Sequence, residues 1–275
     1  MILLADIGGS KTRMAVSGDL QEFETPVIFS TPQEFEQGMD LLYSHATTLL
    51  QQRNLEALVV GIAGSLDGDL EMLVRAPHLP SWEGRSIVAE LGRRFGVPVY
   101  VQNDSALGAL GEAVHGAGRN SSIVAYVTVG TGVGGALVVD GVLARSAAGF
   151  EIGHQYLIID GVPQELEDMV SGSAMLSRYG KPSEEITDET TWEEVTRNFS
   201  YGLRTTLLHW SPNKVVLGGS LFKEKGLSIP KIVNYLKSFP TILAIPEISH
   251  AELGDFGGLY GAMVYGKQKE LGRSL

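Results

Sequence analysis

Apolar and polar positions follow two rhythms along this chain. The alternating runs MILLADIG and TRMAVSG, joined at Gly8-Gly9, predict two strands that meet in a turn. From Pro32 to Arg53 the period lengthens to that of a helix, with Phe35, Met39, Leu42, Ala46 and Leu49 on one face. ALVVGIAG reads as a short buried strand ending in glycine, SIVAELGRRFG (from Ser86) as a helix with a glycine stop, and VPVYVQND as the next strand. SALGALGEAVHGAG is a small-residue helix that begins just after Asp104. The first pattern then returns: SIVAYVTV, the glycine run GTGVGG, and ALVVDGVL predict strand, turn, strand. Helices are predicted from Glu165 to Tyr179 and from Thr191 to Trp210. NKVVLGGSL reads as a strand and a glycine-rich turn, and GGLYGAMVYGKQKEL as a closing small-residue helix.

Strand, glycine turn, strand thus occurs near residue 8 and again near residue 132, each time followed by αβ units. This self-similarity predicts two related halves with a cleft between them and a boundary near residues 104 to 120.

Composition narrows the function classes. A chain of 275 residues, 44% hydrophobic, suits one large domain or two modest ones. It has no cysteine, which excludes disulfides and thiolate metal sites and favours the cytoplasm. A formal charge of −11 disfavours nucleic acid as a partner. No apolar run reaches the roughly 18 to 20 residues of a membrane span. The start, MILLADIGG, reads as a first strand rather than a signal peptide.

The glycine turns need testing against known phosphate loops. GTGVGG satisfies G-x-G-x-x-G at Gly130, Gly132 and Gly135, with Glu151 about 20 residues on. A dinucleotide fingerprint must open a helix, however, and here a strand-like run follows. No G-x-x-x-x-G-K-[ST] occurs either. A glycine hairpin can still crowd backbone N–H groups around a phosphate, with Ser10, Thr12, Thr128 and Thr131 adding hydroxyls. The alternative is a plain hairpin. Asp6, at the end of the first strand, either orients Mg²⁺ or caps the turn through an Asx bond. Lys11 is either a phosphate partner or a solvated charge.

Asn103 and Asp104 stand where a strand ends and a helix begins. Asp104 is an N-cap on one reading and a general base on the other, accepting a hydroxyl proton during phosphoryl transfer. GFEIGHQYL adds Glu151 and His154, and QELEDMVSG adds Glu165, Glu167 and Asp168. Acids on a helix usually form a solvated face, whereas a Glu and a His beside a glycine turn suit the reading of sugar hydroxyls.

Taken together, these segments resemble the ROK family of sugar kinases and repressors, in the actin-like ATPase superfamily, from Leu4 to about Gly266. DIGGSKT is similar to the family's first phosphate loop, GIAGSLDGD to its substrate-side segment, and APHLPSWEG to its P-N-L-x-x-W element. VQNDSALGALGE resembles the catalytic segment, and GTGVGGALVVDG with EIGH the second phosphate loop and sugar site. VVLGGSL and LGDFGGLYGA resemble the adenosine-side turn and the closing helix.

The resemblance implies an α/β fold with two domains around a cleft: residues 1–110 with the first phosphate loop and catalytic Asp, 111–257 with the second loop and adenosine side, and a helix over 258–275 that packs back on the first domain. It implies transfer of a phosphoryl group from ATP, with Mg²⁺, to a hydroxyl of a hexose such as glucose, mannose or an N-acetylhexosamine, usually the 6-OH. Asp104 would be the base; Gly64, Asn103, Glu151, His154 and Glu167 would hold the sugar. Gly8, Gly9, Ser10, Lys11, Thr12, Thr131, Gly132 and Gly134 would serve the phosphates, Gly218 and Gly219 the adenosine, and Asp6 the metal through water. Relatives are often homodimers, and polyphosphate is an alternative donor.

One departure is plain. Most members carry a cysteine loop after EIGH that places zinc on the histidine; here cysteine is absent and the segment QYLIIDGVPQELE is shorter. The expectation is no zinc, with a backbone carbonyl or a carboxylate such as Glu165 orienting His154. ROK repressors carry a helix-turn-helix before the first loop. Here that loop lies within the first ten residues, so an enzyme is expected over a regulator or a non-catalytic sugar binder.

Overall fold

The computed structural model describes residues 1–222, 226–240 and 244–271. The chain divides into two compact units: one built from Met1–His115, Arg145–Gly149 and the chain from Asp255 onward, the other from Gly116–Ala144 and Phe150–Gly254.

Unit 1 begins with β1 (Ile2–Ile7), β2 (Lys11–Ser17) and β3 (Val27–Ser30), then α1 (Phe35–Leu50) and β4 (Ala57–Ile62). A small ribbon, β5 (Ser65–Leu66) with β6 (Leu73–Arg75), leads to α2 (Ile87–Phe95), β7 (Val99–Asn103) and α3 (Asp104–Val114). The sheet order is β3-β2-β1-β4-β7, with β1 antiparallel to β2 and parallel to β4, which is parallel to β7. All six residues of β4 are buried, as a central strand covered on both faces requires. The apolar face of α1 closes one side with Phe35, Met39, Leu42 and Ala46; Leu50, rather than the half-buried Leu49, completes it. Ser86 caps α2 by accepting from Ala89 N–H, and Gly96 ends that helix in the left-handed region.

Unit 2 contains β8 (Ile123–Val129), β9 (Val133–Val139), β10 (Val142–Leu143), β11 (Tyr156–Ile159), β12 (Val162–Glu165), α4 (Glu167–Val170), α5 (Gly172–Tyr179), α6 (Glu189–Trp210), β13 (Lys214–Gly218), α7 (Ile229–Ser238) and β14 (Glu247–His250). Its sheet runs β10-β9-β8-β13-β14 with the same sequence of antiparallel and parallel pairings as unit 1. The last element, α8 (Gly257–Gln268), belongs to unit 1 and lies against α3. A Cβ at Gly261 would stand 1.8 Å from Leu107 O, so these two backbones approach as only glycine allows.

The structure corrects several expected elements. ALVVDGVL is not one strand: Asp140-Gly141 turns the chain with both φ angles positive, at 50° and 75°, separating β9 from β10. The Asp160-Gly161 pair does the same, making QYLIIDGVPQELE a hairpin of β11 and β12 rather than a loop. The helix expected from Glu165 to Tyr179 is broken at Ser171, whose extended backbone ends α4 and whose hydroxyl caps α5. Among the described residues, no helix is long and apolar enough to cross a membrane.

Candidate functional site

In unit 1, β1 ends at Asp6-Ile7 and β2 starts at Lys11. The turn between them is closed by Gly8 N–H donating to Lys11 O at 3.0 Å. Thr31 braces it from behind: its N–H donates to Ser10 O at 3.0 Å and its hydroxyl to Gly8 O at 2.7 Å. The Thr12 hydroxyl lies 2.9 Å from that of Thr31. Because the Thr31 proton goes to Gly8, Thr12 is the donor in this pair. Thr12 is 1% exposed and its hydroxyl proton is engaged by Thr31, so its side chain braces the turn. Ser10 and Lys11 are exposed, and Gly9 rests on His78, whose Cβ lies 2.5 Å from where a Gly9 Cβ would stand.

Asp6 does not cap the turn. Its carboxylate faces Arg13, its direct cross-strand partner, at 3.7 Å, and Arg13 reaches Asp255 at 3.5 Å. It sits on the first turn of α8, where a Gly258 Cβ would come within 2.6 Å of its Cγ. Gly61 of β4 separates it from Asp104: a Cβ there would be 3.6 Å from both Asp6 Oδ1 and Asp104 Cα. Burial first, then the Asp104 charge, pushes the Asp6 pKa up to about 7, against the pull of Arg13. The Asp104 pKa is also raised, by burial, while Ser105 hydrogen bonds (N–H to Oδ1, 2.8 Å) and His78 oppose the shift. Two close, partly buried carboxylates with raised pKa values are the usual setting of proton or cation chemistry. Among the described residues, no three His, Asp or Glu side chains gather into a metal-holding cluster. A cation at Asp6 would therefore take most ligands from water and phosphate, as Mg²⁺ does.

The N-cap of α3 is Asn103, which accepts from Ala106 N–H at 3.1 Å. Asp104 stands at the first helical position, its Oδ1 accepting from Ser105 N–H. Asn103 Nδ2 donates to Gly64 O at 2.9 Å, tying the end of β7 to the turn after β4. Gly64 has φ +121°, and a Cβ would stand 2.4 Å from Arg75 O, so glycine is required there.

In unit 2 the turn between β8 and β9 is only Gly130-Thr131-Gly132; Gly134 and Gly135 lie inside β9, paired with Thr128 and Val127. This turn is docked on the start of α5. Gly172 N–H donates to Gly130 O at 2.8 Å and Ser173 N–H to Thr131 O at 3.1 Å. The Gly218-Gly219 turn adjoins it, with Ser220 Oγ 3.6 Å from where a Gly130 Cβ would stand. Gly218 is buried against the Tyr126 ring; Gly219 is exposed.

The EIGH segment follows in the same unit. Glu151 is exposed ahead of a 3₁₀ turn, Ile152–His154. Glu167 Oε2 accepts from Val133 N–H at 2.6 Å and lies 3.3 Å from where a Gly153 Cβ would stand, so it joins the EIGH turn to the start of β9. His154 Nδ1 lies 2.5 Å from Glu165 Oε2, as the sequence suggested. Tyr156 donates to the other Glu165 oxygen at 3.1 Å.

Within unit 1 the structure brings together Asp6, Asp104, Asn103 and Gly64; within unit 2 it brings together Thr131, Gly132, Gly219, Glu167 and His154. Sequence reasoning missed Arg13, Asp255, His78 and Tyr156 as neighbours of these groups. Two were legible in hairpin arithmetic: a tight turn at residues 8–10 pairs Asp6 with Arg13, and Asp160-Gly161 pairs Tyr156 with Glu165.

The sequence profile of the ROK family matches residues 3–269. The glucokinase of Streptomyces coelicolor is 24% identical, covering 94% of each chain. The ROK hexokinase of Thermus thermophilus superposes with a TM-score of 0.83 at 25% identity, covering 98% of this chain and 99% of that one. A ROK family glucokinase from Streptomyces griseus, solved with glucose and AMPPNP, gives 0.79 at 22% identity over 97% and 99%.

Proposed function

Because the chain belongs to the ROK family and has its α/β, actin-like ATPase fold, we propose that it is a sugar kinase that transfers the γ-phosphoryl group of ATP to a hexose hydroxyl, the 6-OH by family analogy. The observation that carries this reading is the partly buried Asp104 carboxylate at the end of β7, with only β4 between its strand and that of Asp6, and with the Asn103 side chain supplying the N-cap of α3. A base whose pKa is raised from the ordinary carboxylate range is a better proton acceptor at neutral pH.

Asp104 takes the proton of the sugar hydroxyl as its oxygen attacks the γ-phosphorus. The bond to the β–γ bridging oxygen breaks, and ADP leaves. Mg²⁺, held by Asp6 through water, would neutralise charge on the phosphates. Gly8, Gly9, Ser10 and Lys11 in unit 1, and Thr131 and Gly132 in unit 2, serve the phosphates. Gly218 and Gly219 form the adenosine-side turn, with Gly219 the exposed member; Gly134, within β9, supports the second turn. Glu151, His154 and Glu167 read sugar hydroxyls, while Asn103 and Gly64 shape the surroundings of the base.

The test is a coupled ADP-release assay with glucose, mannose, fructose and N-acetylated hexoses, run with ATP and, by product detection, with polyphosphate. Phosphorylation of at least one hexose, lost in Asp104→Asn, is expected. Near-equal turnover in the variant would remove Asp104 as the base, and no turnover with any pairing would overturn the reading.

A further inference from the structure

At the β11–β12 hairpin, His154 joins a chain with two polar side chains, Glu165 and Tyr156, that the reaction above does not use. Tyr156 and Glu165 are direct cross-strand partners, and His154 lies just before the hairpin. Glu165 Oε1 accepts from the Tyr156 hydroxyl at 3.1 Å, while Oε2 meets His154 Nδ1 at 2.5 Å. An ionised Glu165, accepting at both oxygens, pairs with the His154 tautomer that carries its proton on Nδ1. A neutral imidazole with its proton on Nδ1 keeps its lone pair on Nε2. His154 and Glu165 are both about a quarter exposed, so the ring is partly sheltered yet reachable.

We propose that Glu165 is the positioning residue of His154: it fixes the Nδ1–H tautomer and the ring orientation, so that Nε2 accepts a hydrogen bond from a sugar hydroxyl. Zinc does not fit here. The chain has no cysteine to supply thiolates, and the carboxylate already occupies Nδ1. The hairpin does with a hydrogen bond what a metal does elsewhere, orienting an imidazole through its second shell of contacts. The turn that allows it is Asp160-Gly161, which sets the register and so places Glu165 beside His154.

The kinetic arm of the test rests on the kinase reading; the spectroscopic arm does not. Long-range ¹H–¹⁵N NMR of the histidine side chains, with His154→Gln for assignment, should show His154 as the Nδ1–H tautomer in the wild type. In Glu165→Ala it should become a mixture or shift to Nε2–H, with the folded spectrum otherwise retained. In kinetics, Glu165→Ala should raise the KM for the sugar roughly 10- to 100-fold, with the KM for ATP and kcat within about 3-fold. Glu165→Gln, which keeps an acceptor oxygen, should recover much of the loss, and Tyr156→Phe should cost less than Glu165→Ala. Replacing the hydroxyl that meets His154 by fluorine, which cannot donate, should cost the wild type more than it costs His154→Gln. An unchanged tautomer in Glu165→Ala, or stoichiometric zinc in the purified protein, overturns the proposal. So does an unchanged sugar KM in an active enzyme. A wild type that phosphorylates no hexose defeats the kinase reading alone, because the tautomer result still decides the clamp.

Discussion

The Gly8–Lys11 turn of unit 1 and the Gly130–Gly132 turn of unit 2 join equivalent strands of two sheets with one strand order. The first is braced by the Thr31 and Thr12 hydroxyls and backed by two partly buried carboxylates with raised pKa values. The second is braced by N–H groups at the start of α5, and the carboxylate beside it, Glu167, is tied to Val133 N–H. Asp6 and Asp104 are coupled carboxylates with raised pKa values, whereas Glu167 ties the EIGH turn to the backbone at the start of β9. On the proposed kinase reading, the same scaffold serves two tasks: unit 1 supplies the carboxylates for chemistry, and unit 2 fixes positions.

The sharpest way to break this contrast is at the base. Asp104→Asn should lower kcat by about 10²- to 10⁴-fold with little change in the KM values, measured in the coupled assay. Should Glu167→Gln lose as much kcat as Asp104→Asn, the division of labour between the units would fail.

The next effect is on stability and depends on pH. The folded Asp6 has a pKa of about 7, above the unfolded value of 3.8. Below pH 3.8 both states are protonated and nothing is lost. As pH rises towards 7 the unfolded chain ionises first, and stability falls by up to about 1.4 kcal/mol per pH unit. Asp6→Asn removes that loss. It should be more stable than the wild type by about 1–4 kcal/mol at pH 8 and nearly equal to it at pH 4, in urea unfolding at both pH values. An equal difference at both would sink the claim that a buried charge is stored behind the first turn.

Glu167→Ala should cost about 1–3 kcal/mol, because it leaves Val133 N–H without its acceptor in a partly buried site. Its sugar KM should rise while kcat changes little. Smallest is Thr12→Val, which removes the donor to Thr31 and should cost about 1 kcal/mol in thermal unfolding. Its KM for ATP should stay within about 2-fold; a larger rise would return Thr12 to the phosphate ligands.

Local pattern carried much of the fold. Period and capping chemistry located β1, β2, α1, α2 and α6, because each of those signals lies within one element: Ser86 before α2, Gly96 after it, and the apolar stripe of α1. Short strands escaped where an Asp-Gly turn sat inside an apolar run, at 140–141 and 160–161. The edge strands β3 and β14 escaped too, since four residues with mixed burial carry little periodicity. For the candidate site, the sequence supplied the residue types and their order along the chain: an Asp before one glycine turn, an Asn-Asp at a strand end, a Glu and a His after another. It also ruled out thiolate ligands outright, because that depends on composition alone. The tertiary structure decided which atoms still have something to offer. Thr12 and Thr128 looked alike as hydroxyl donors until packing set Thr12 against Thr31, 19 residues away. Asp104 read as a cap or as a base until the backbone gave the cap to Asn103, which the sequence had not offered for it. Hydrogen bonds and desolvation depend on neighbours remote in sequence, and only the assembled sheet brings Arg13, Asp255 and Gly258 to Asp6.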